Sequence, residues 1–484
     1  MGHSEFMLVH WGSDSTKEIT SAAAPTEAIM VGVMRQTLIS GSVAGIAVLL
    51  AMTLPQRAAA QDARVKTLVE AYNASGQQLF KTFASDPDNI VFSPYSIGTA
   101  MAMVLSGARG ETATEMAKVL RERLPSADMD AANAILLATF SAYDKSAEQP
   151  TCLDSMRWSG AQCESTPAAD GSCRFPAHRE GDRCEANPTS RPPSAQLRTA
   201  NALVQRKTRS IVAKDYQALL AEKYAAEVFQ VTAVDEVNDW VRRKTEDKID
   251  KIIDQLSDVV LLNAIYFKAR WKSTFGKDMT RDKPFSLSSS RKTSVPMMAD
   301  TDKYSVVERP GYRAIRLPYD VDELGMVIVL PNDIDGVVRV GAQIDAKELP
   351  KLSDALHAAE PKRVALEMPR FKISYNAPDL TTIFQKEGMR RAFEEKEADF
   401  SGITGRPASE LPFWIDEIRH RAVIDVMEDG TEAAAVTAVA LQTASLPQRE
   451  PEPEPFHVDH PFLFYVVDDT TGAILFQGRI TEPQ

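Results

Sequence analysis

Three features of this 484-residue chain offer chemistry: seven histidines, four cysteines and one run of small residues near the C-terminus. The histidines are His3, His10, His178, His357, His420, His457 and His460. None stands in a His-Glu-x-x-His pair, and there is no Gly-x-Ser-x-Gly elbow or phosphate-binding loop. No catalytic residue is assigned, and no metal or other cofactor is expected. The cysteines, Cys152, Cys163, Cys173 and Cys184, are spaced by 11, 10 and 11. They include no Cys-x-x-Cys pair, and His178 beside them stands alone, so two disulfides are favoured over a zinc site. Three pairings are open. The third feature runs from Glu428 to Ala444 and has no lysine, arginine or aromatic residue after Glu428. Ala, Val and Thr in that density suit a closely packed strand, and suit a buried helix too. Left outside a sheet, such a run is a template for strand pairing.

Charge and composition narrow the classes of partner. The net charge is −12 with 44% hydrophobic residues, which argues against nucleic acid or an anionic membrane surface. Residues 38 to 54 are apolar and uncharged, follow Arg35 and precede Ala58-Ala59-Ala60. That is the layout of a secretory signal. Residues 1–60 therefore read as an upstream extension plus signal, with Met34 as the natural start and a mature chain from Gln61. The expected location is secreted or periplasmic, with no membrane attachment after cleavage. Length alone suggests two or three domains.

The elements that must position these features follow from periodicity. Residues 62 to 84 have helical spacing. Ser93 and Pro94 cap a helix to Gly107 that is apolar on most sides. Helices are also predicted over 110–123, 128–143, 211–224, 233–253, 337–356 and 380–393. Residues 146–196 are rich in Pro, Ser, Glu, Arg and Gly and hold every cysteine, and so read as a surface insertion. It is expected to serve as an accessory docking surface. Strands are predicted over 199–204, 226–231, 293–298, 304–308, 312–317, 326–330 and 364–375, with a hairpin of 462–467 and 473–477. Asp258 to Ala269 is apolar throughout and belongs at the centre of a sheet. Helices cluster early and strands late, which gives an α+β fold. No internal repeat is read.

Four separate stretches carry a resemblance to the serpin family: Asn89-Ile-Val-Phe-Ser-Pro-Tyr-Ser-Ile97, Leu262 to Trp271, Glu428-Asp-Gly-Thr-Glu-Ala-Ala-Ala435, and Phe456 to Phe464. The resemblance spans residues 62 to 481. It implies one domain over 61–484 with three sheets, about nine helices and an exposed reactive loop over 428–455. It implies a monomeric suicide inhibitor of a serine protease, or of a cysteine protease, whose cleaved loop inserts into the main sheet and distorts the attached enzyme. A second reading is a non-inhibitory relative serving as carrier or chaperone, and a third a periplasmic hydrolase, disfavoured by the missing nucleophile motif.

The resemblance also assigns residues. The hinge comprises Glu428, Gly430, Thr431, Ala433, Ala434 and Ala435. Inward positions run Thr431, Ala433, Ala435, Thr437 and Val439, all small or β-branched. Glu432 and Val436 fall on the other face. Ser93, Ser96, Asn263 and His420 form a polar cluster where the sheet opens, and Glu428 pairs with Arg370 beside Trp271. Counting from the hinge places the scissile bond at Ala444-Ser445, which suits an elastase-like protease. Counting back from Phe456 favours Arg449-Glu450 and a trypsin-like one. The first count is preferred, because the length before the bond must match the sheet.

Overall fold

The computed structural model describes residues 62–144, 149–153, 156–159, 162–174, 177–186, 195–207, 212–431 and 452–483. Helix α1 (Ala63–Phe83) buries Val65, Leu68, Val69, Tyr72, Leu79, Phe80 and Phe83 on one stripe. Strand β1 (Ile90–Phe92) feeds α2 (Pro94–Gly107). Ser93 caps α2, its Oγ accepting from Ser96 N at 2.9 Å, and every residue of α2 is buried. α3 (Gly110–Leu120) and α4 (Ser126–Ser141) complete this helical layer.

Four short strands follow in the cysteine-bearing insertion: β2 (Arg157–Trp158), β3 (Cys163–Ser165), β4 (His178–Glu180) and β5 (Arg183–Ala186). Of the three pairings left open, the structure closes Cys152–Cys163 and Cys173–Cys184. The main chain path resumes with β6 (Ala195–Arg206), which starts four residues before the predicted Thr199 and inside the span read as insertion. Next come α5 (Lys214–Tyr224), β7 (Glu227–Val231), α6 (Val234–Lys244) and β8 (Val259–Arg270). α6 stops nine residues short of the predicted Ile253. The Asn238 side chain accepts from Ile252 N at 2.9 Å and donates to Ile253 O at 3.0 Å, folding the following segment back on the helix.

The C-terminal half is mostly strand, as predicted, with three revisions of element boundaries. β9 (Arg281–Ser288) pairs with β10 (Arg291–Arg309), a single 19-residue strand where two were predicted. β11 (Tyr312–Pro318) and β12 (Leu324–Pro331) follow. The predicted helix over 337–356 is two helices, α7 (Val337–Gln343) and α8 (Glu348–Ala358). Asp345 divides them by accepting from Lys347 N and Glu348 N at 2.9 and 2.8 Å. The predicted strand 364–375 is also two: β13 (Lys362–Pro369) and β14 (Phe371–Asn376) lie in different sheets, and Arg370 is the joint. α9 (Leu380–Glu387) ends at Gly388, whose φ of 107° favours glycine. α10 (Ser401–Thr404), β15 (Glu417–Met427), β16 (Gly430–Thr431), β17 (Glu454–His457), β18 (Phe462–Asp468) and β19 (Ile474–Ile480) complete the described chain.

The main sheet has the order β14-β15-β16-β8-β6-β7. β8 lies at its centre and is buried on both faces over most of its length. The remaining long strands form two sheets that share β10. Its last five residues pair with β11, and its earlier residues pair with β9 and β13. The principal hydrophobic core joins α1 and α2 to the inner face of the main sheet and to β1, β12, β18 and β19. A smaller cluster under α6 covers part of the outer face, through Val237, Trp240 and Val241 against Ala200, Leu262 and Ala264.

Candidate functional site at the mouth of the main sheet

β15 and β8 pair directly and in parallel from Glu417↔Val260 to Val423↔Tyr266. Above that point they part, and β16 enters between them. Thr431 faces Val426 on one side and Ala269 on the other, and Gly430 faces Met427 and Arg270. β16 is antiparallel to both neighbours. The sheet is therefore closed below and already opened by two residues above. Gly430 is required for this, because a Cβ there would lie 2.2 Å from Ala269 O and its φ is 149°.

Several contacts hold β16 and the turn before it in place. Thr431 is fully buried, and its hydroxyl lies 2.8 Å from the Tyr319 hydroxyl. The Tyr319 ring stacks on Trp271 at 4.5 Å between centroids and 9° between planes. Trp271 donates from Nε1 to Met427 O and from its backbone N to Asp429 O, both at 3.0 Å. Phe275 N donates to Glu428 O at 2.9 Å. The Glu428 side chain is 3% exposed and accepts from Arg370 Nε at 2.7 Å and from the Thr280 hydroxyl. Burial alone pushes this carboxyl up, but the hydrogen bonds from Arg370 and Thr280 outweigh it and hold the pKa below the usual value. Lys277 approaches Asp429 at 2.9 Å.

The four polar residues assigned beneath the opening do meet, and all are buried. Asn201, Asn263 and His420 occupy one row across β6, β8 and β15. Asn263 Nδ2 lies 2.6 Å from Ser96 Oγ, 2.9 Å from Ser96 O and 2.6 Å from Asn201 Oδ1. His420 bonds Asn263 Oδ1 through Nδ1 and receives Ser93 N at Nε2, 3.4 Å away. An imidazole accepting at Nε2 and donating from Nδ1 is neutral. Burial accordingly lowers its pKa to about 3.

The structure thus brings together Ser93, Ser96, Asn263 and His420, and separately Glu428, Gly430, Thr431, Arg370 and Trp271. Ala433, Ala434, Ala435, Ala444, Ser445, Arg449 and Glu450 lie outside the described residues, as do residues 1–61. Sequence reasoning missed Tyr319, Thr280 and Asn201. Tyr319 is 112 positions from Thr431, and Thr280 is 148 from Glu428. No local pattern marks such partners. Asn201 was visible only as a polar residue within an apolar strand.

One pH dependence follows from the buried groups. Between pH 6.5 and 3 the unfolded chain protonates His420 while the native state does not, so this residue lowers stability as pH falls. Asp468 acts in the opposite sense. Burial raises its pKa to about 6, against bonds from Thr471 and from the Tyr143 hydroxyl at 2.6 Å. Its native state gains a proton before the unfolded state does, so stability rises as pH falls from about 6 towards 4. Each slope is at most about 1.4 kcal/mol per pH unit. Asp468→Asn should therefore make urea midpoints fall more steeply from pH 6 to pH 4 than in wild type, and His420→Gln less steeply.

Fold and site together define a protein whose main sheet parts at one end around Gly430 and Thr431, two residues of the segment that follows β15. A family model for Serpin (serine protease inhibitor) matches residues 70–483. An uncharacterised serpin-like protein of Thermococcus kodakarensis is 34% identical over 436 residues, covering 88% of this chain and 88% of its own. The leukocyte elastase inhibitor of Equus caballus is 33% identical over 422 residues, with 82% and 94% covered. The solved structure of Serpin48 from Tenebrio molitor matches with a TM-score of 0.66 at 26% identity, covering 88% of this chain and 99% of its own. The chain belongs to the serpin family.

Proposed function

We propose that this protein is a suicide inhibitor of elastase-like serine proteases and acts outside the cytosol. The observation that carries the reading is the register of β16. In the inserted state proposed, a strand continued in that register would bring Ala433 between Phe267 and Ile424, and Ala435 between Ile265 and Ala422. Thr437 would come between Asn263 and His420, and Val439 between Leu261 and Ile418. Every one of those flanking residues is buried. Small or β-branched side chains at each alternate position are what such a slot accepts. Val436 would then come into the row of Ala264, which belongs to the apolar cluster under α6, so an apolar residue suits that face as well.

The same register supports Ala444-Ser445 as the bond that is cut. On insertion Leu441 would reach the row of Val259, the first residue of β8. Only Gln442, Thr443 and Ala444 then remain, which keeps a protease esterified to Ala444 close against the far end of the sheet. A bond after Arg449 would leave five further residues of slack. The protease serine attacks the Ala444 carbonyl, the C–N bond to Ser445 breaks, and the new amine leaves on the C-terminal fragment. Insertion must then outrun hydrolysis of the ester. The two disulfides support a location outside the reducing cytosol.

The test is incubation with elastase and, separately, trypsin. An SDS-stable adduct is expected with elastase, together with a released fragment that begins at Ser445. Cleavage without any adduct would refute the inhibitor reading. A fragment beginning at Glu450 would move the bond to Arg449 and the target class to trypsin-like.

A further inference from the structure

The insertion between α4 and β6 is built twice. A shift of 21 positions carries Cys152, Gly160, Cys163 and Glu164 onto Cys173, Gly181, Cys184 and Glu185. The disulfides obey the same shift, Cys152–Cys163 becoming Cys173–Cys184. So does the strand pairing: Arg157↔Glu164 and Trp158↔Cys163 in the first hairpin become His178↔Glu185 and Arg179↔Cys184 in the second. The hairpins join through β3 and β5, where Glu164 faces its own counterpart Glu185. On either side Cys163 faces Ala186 and Ser165 faces Cys184, which are the same pair exchanged. A local two-fold axis therefore passes between the two glutamates. Sequence reading found no repeat because few identities survive between the copies.

This unit shares little with the rest of the fold. Among its described residues, Cys163, Cys184 and Ala186 are the buried ones, and none belongs to either hydrophobic cluster. Among the described residues its four strands pair with one another and with no strand of the body. At its base the body closes on itself: Ala195 N donates to Tyr143 O at 3.1 Å, and Asp144 meets Gln196 Nε2 at 3.3 Å and Arg198 Nη2 at 3.2 Å. Strands of two to four residues without an apolar layer do not hold a sheet together in water. Exposed polar contacts such as Arg183 with Glu164 add little in water, so the cross-links contribute most.

We propose that the insertion is a duplicated, oxidation-dependent module that orders and disorders independently of the inhibitor body. A dithiol reductant opens each bridge by thiol–disulfide exchange. Two electrons and two protons pass to the protein, giving two thiols, and the reductant leaves as its own disulfide. Both hairpins then lose order, while the base contacts keep α4 and β6 in place.

Hydrogen exchange on the full chain, with and without dithiothreitol, tests this. Four thiols should become titratable. Amides of β3 and β5 should exchange at least tenfold faster, with β8 and β15 unchanged and the melting temperature of the body kept. Retained protection in β3 and β5 after four thiols have titrated would overturn the proposal, and so would loss of protection in β8 or β15. A second arm compares Cys152→Ser/Cys163→Ser with Cys173→Ser/Cys184→Ser. Because the copies meet on the dyad, either double variant should loosen both hairpins, and loosening confined to the altered one would refute the paired unit. None of these readouts depends on whether the protein inhibits a protease.

Discussion

Thr431→Arg is expected to turn the protein from an inhibitor into a substrate, with the ratio of SDS-stable adduct to cleaved protein reduced at least a hundredfold and the loop cut at an undiminished rate. Thr431 is the first inward residue of the hinge. It is fully buried between Val426 and Ala269, and its hydroxyl meets Tyr319. A guanidinium there must shed its water against Tyr319 and Trp271 with no carboxylate in the row to receive it. Burying an unpaired charge costs several kcal/mol, so the intact variant is expected to keep residue 431 out of the sheet and to meet that cost on insertion, where about 2.7 kcal/mol already corresponds to a factor of a hundred. The neighbouring residue supplies the control. In the inserted state proposed above, Glu432 would come to the opposite face beside Lys268 and Asp425, both only partly buried. Glu432→Arg should therefore keep the adduct. The measurement is the ratio of adduct to cleaved inhibitor on a denaturing gel as inhibitor is titrated. Unchanged trapping by Thr431→Arg would refute insertion at this site.

How much of this was legible in the sequence differs by element. β8 was readable as a central strand because an unbroken apolar run tolerates no solvent face. α2 was readable because Ser93 and Pro94 announce its start, and the final hairpin because its turn chemistry is local. The breaks were not readable. Val364 to Tyr375 has the composition of one strand, and only the packing of two sheets requires the chain to switch between them at Arg370. The middle of β10 is polar from Asp300 to Lys303 and reads as a loop, yet its backbone pairs with β13 throughout that span. α6 ends where Asn238 captures a segment 14 residues away. The site shows the same divide. Gly430 and the alternation after it are properties of local sequence. The meeting of Ser93 with His420 joins positions 327 apart and came from resemblance alone. Tyr319 and Thr280 had neither kind of signal.

Thr437 carries the second large effect, because of the row it is due to occupy. In the present state His420 and Asn263 are adjacent strand partners joined by a side-chain hydrogen bond. A strand placed between them moves their backbones from about 4.8 Å to about 9.6 Å apart, so that bond must break. The Ser93–His420 and Asn201–Asn263 contacts flank the slot and need not move. One buried donor and one buried acceptor are then left open, at about 1 to 3 kcal/mol each if nothing replaces them. A threonine hydroxyl donates and accepts at once, and so suits the place between the imidazole and the amide. Thr437→Val keeps the shape and removes the hydroxyl. Its expected result is unchanged stability of the intact protein and a roughly tenfold fall in the ratio of adduct to cleaved inhibitor, since about 1.4 kcal/mol on insertion is tenfold against ester hydrolysis. Thr437→Asp adds a buried charge beside a neutral histidine and should abolish the adduct. The two variants together fix the register. If both trap protease as wild type does, insertion either stops above Asn263 or runs one residue out of the phase that Thr431 defines.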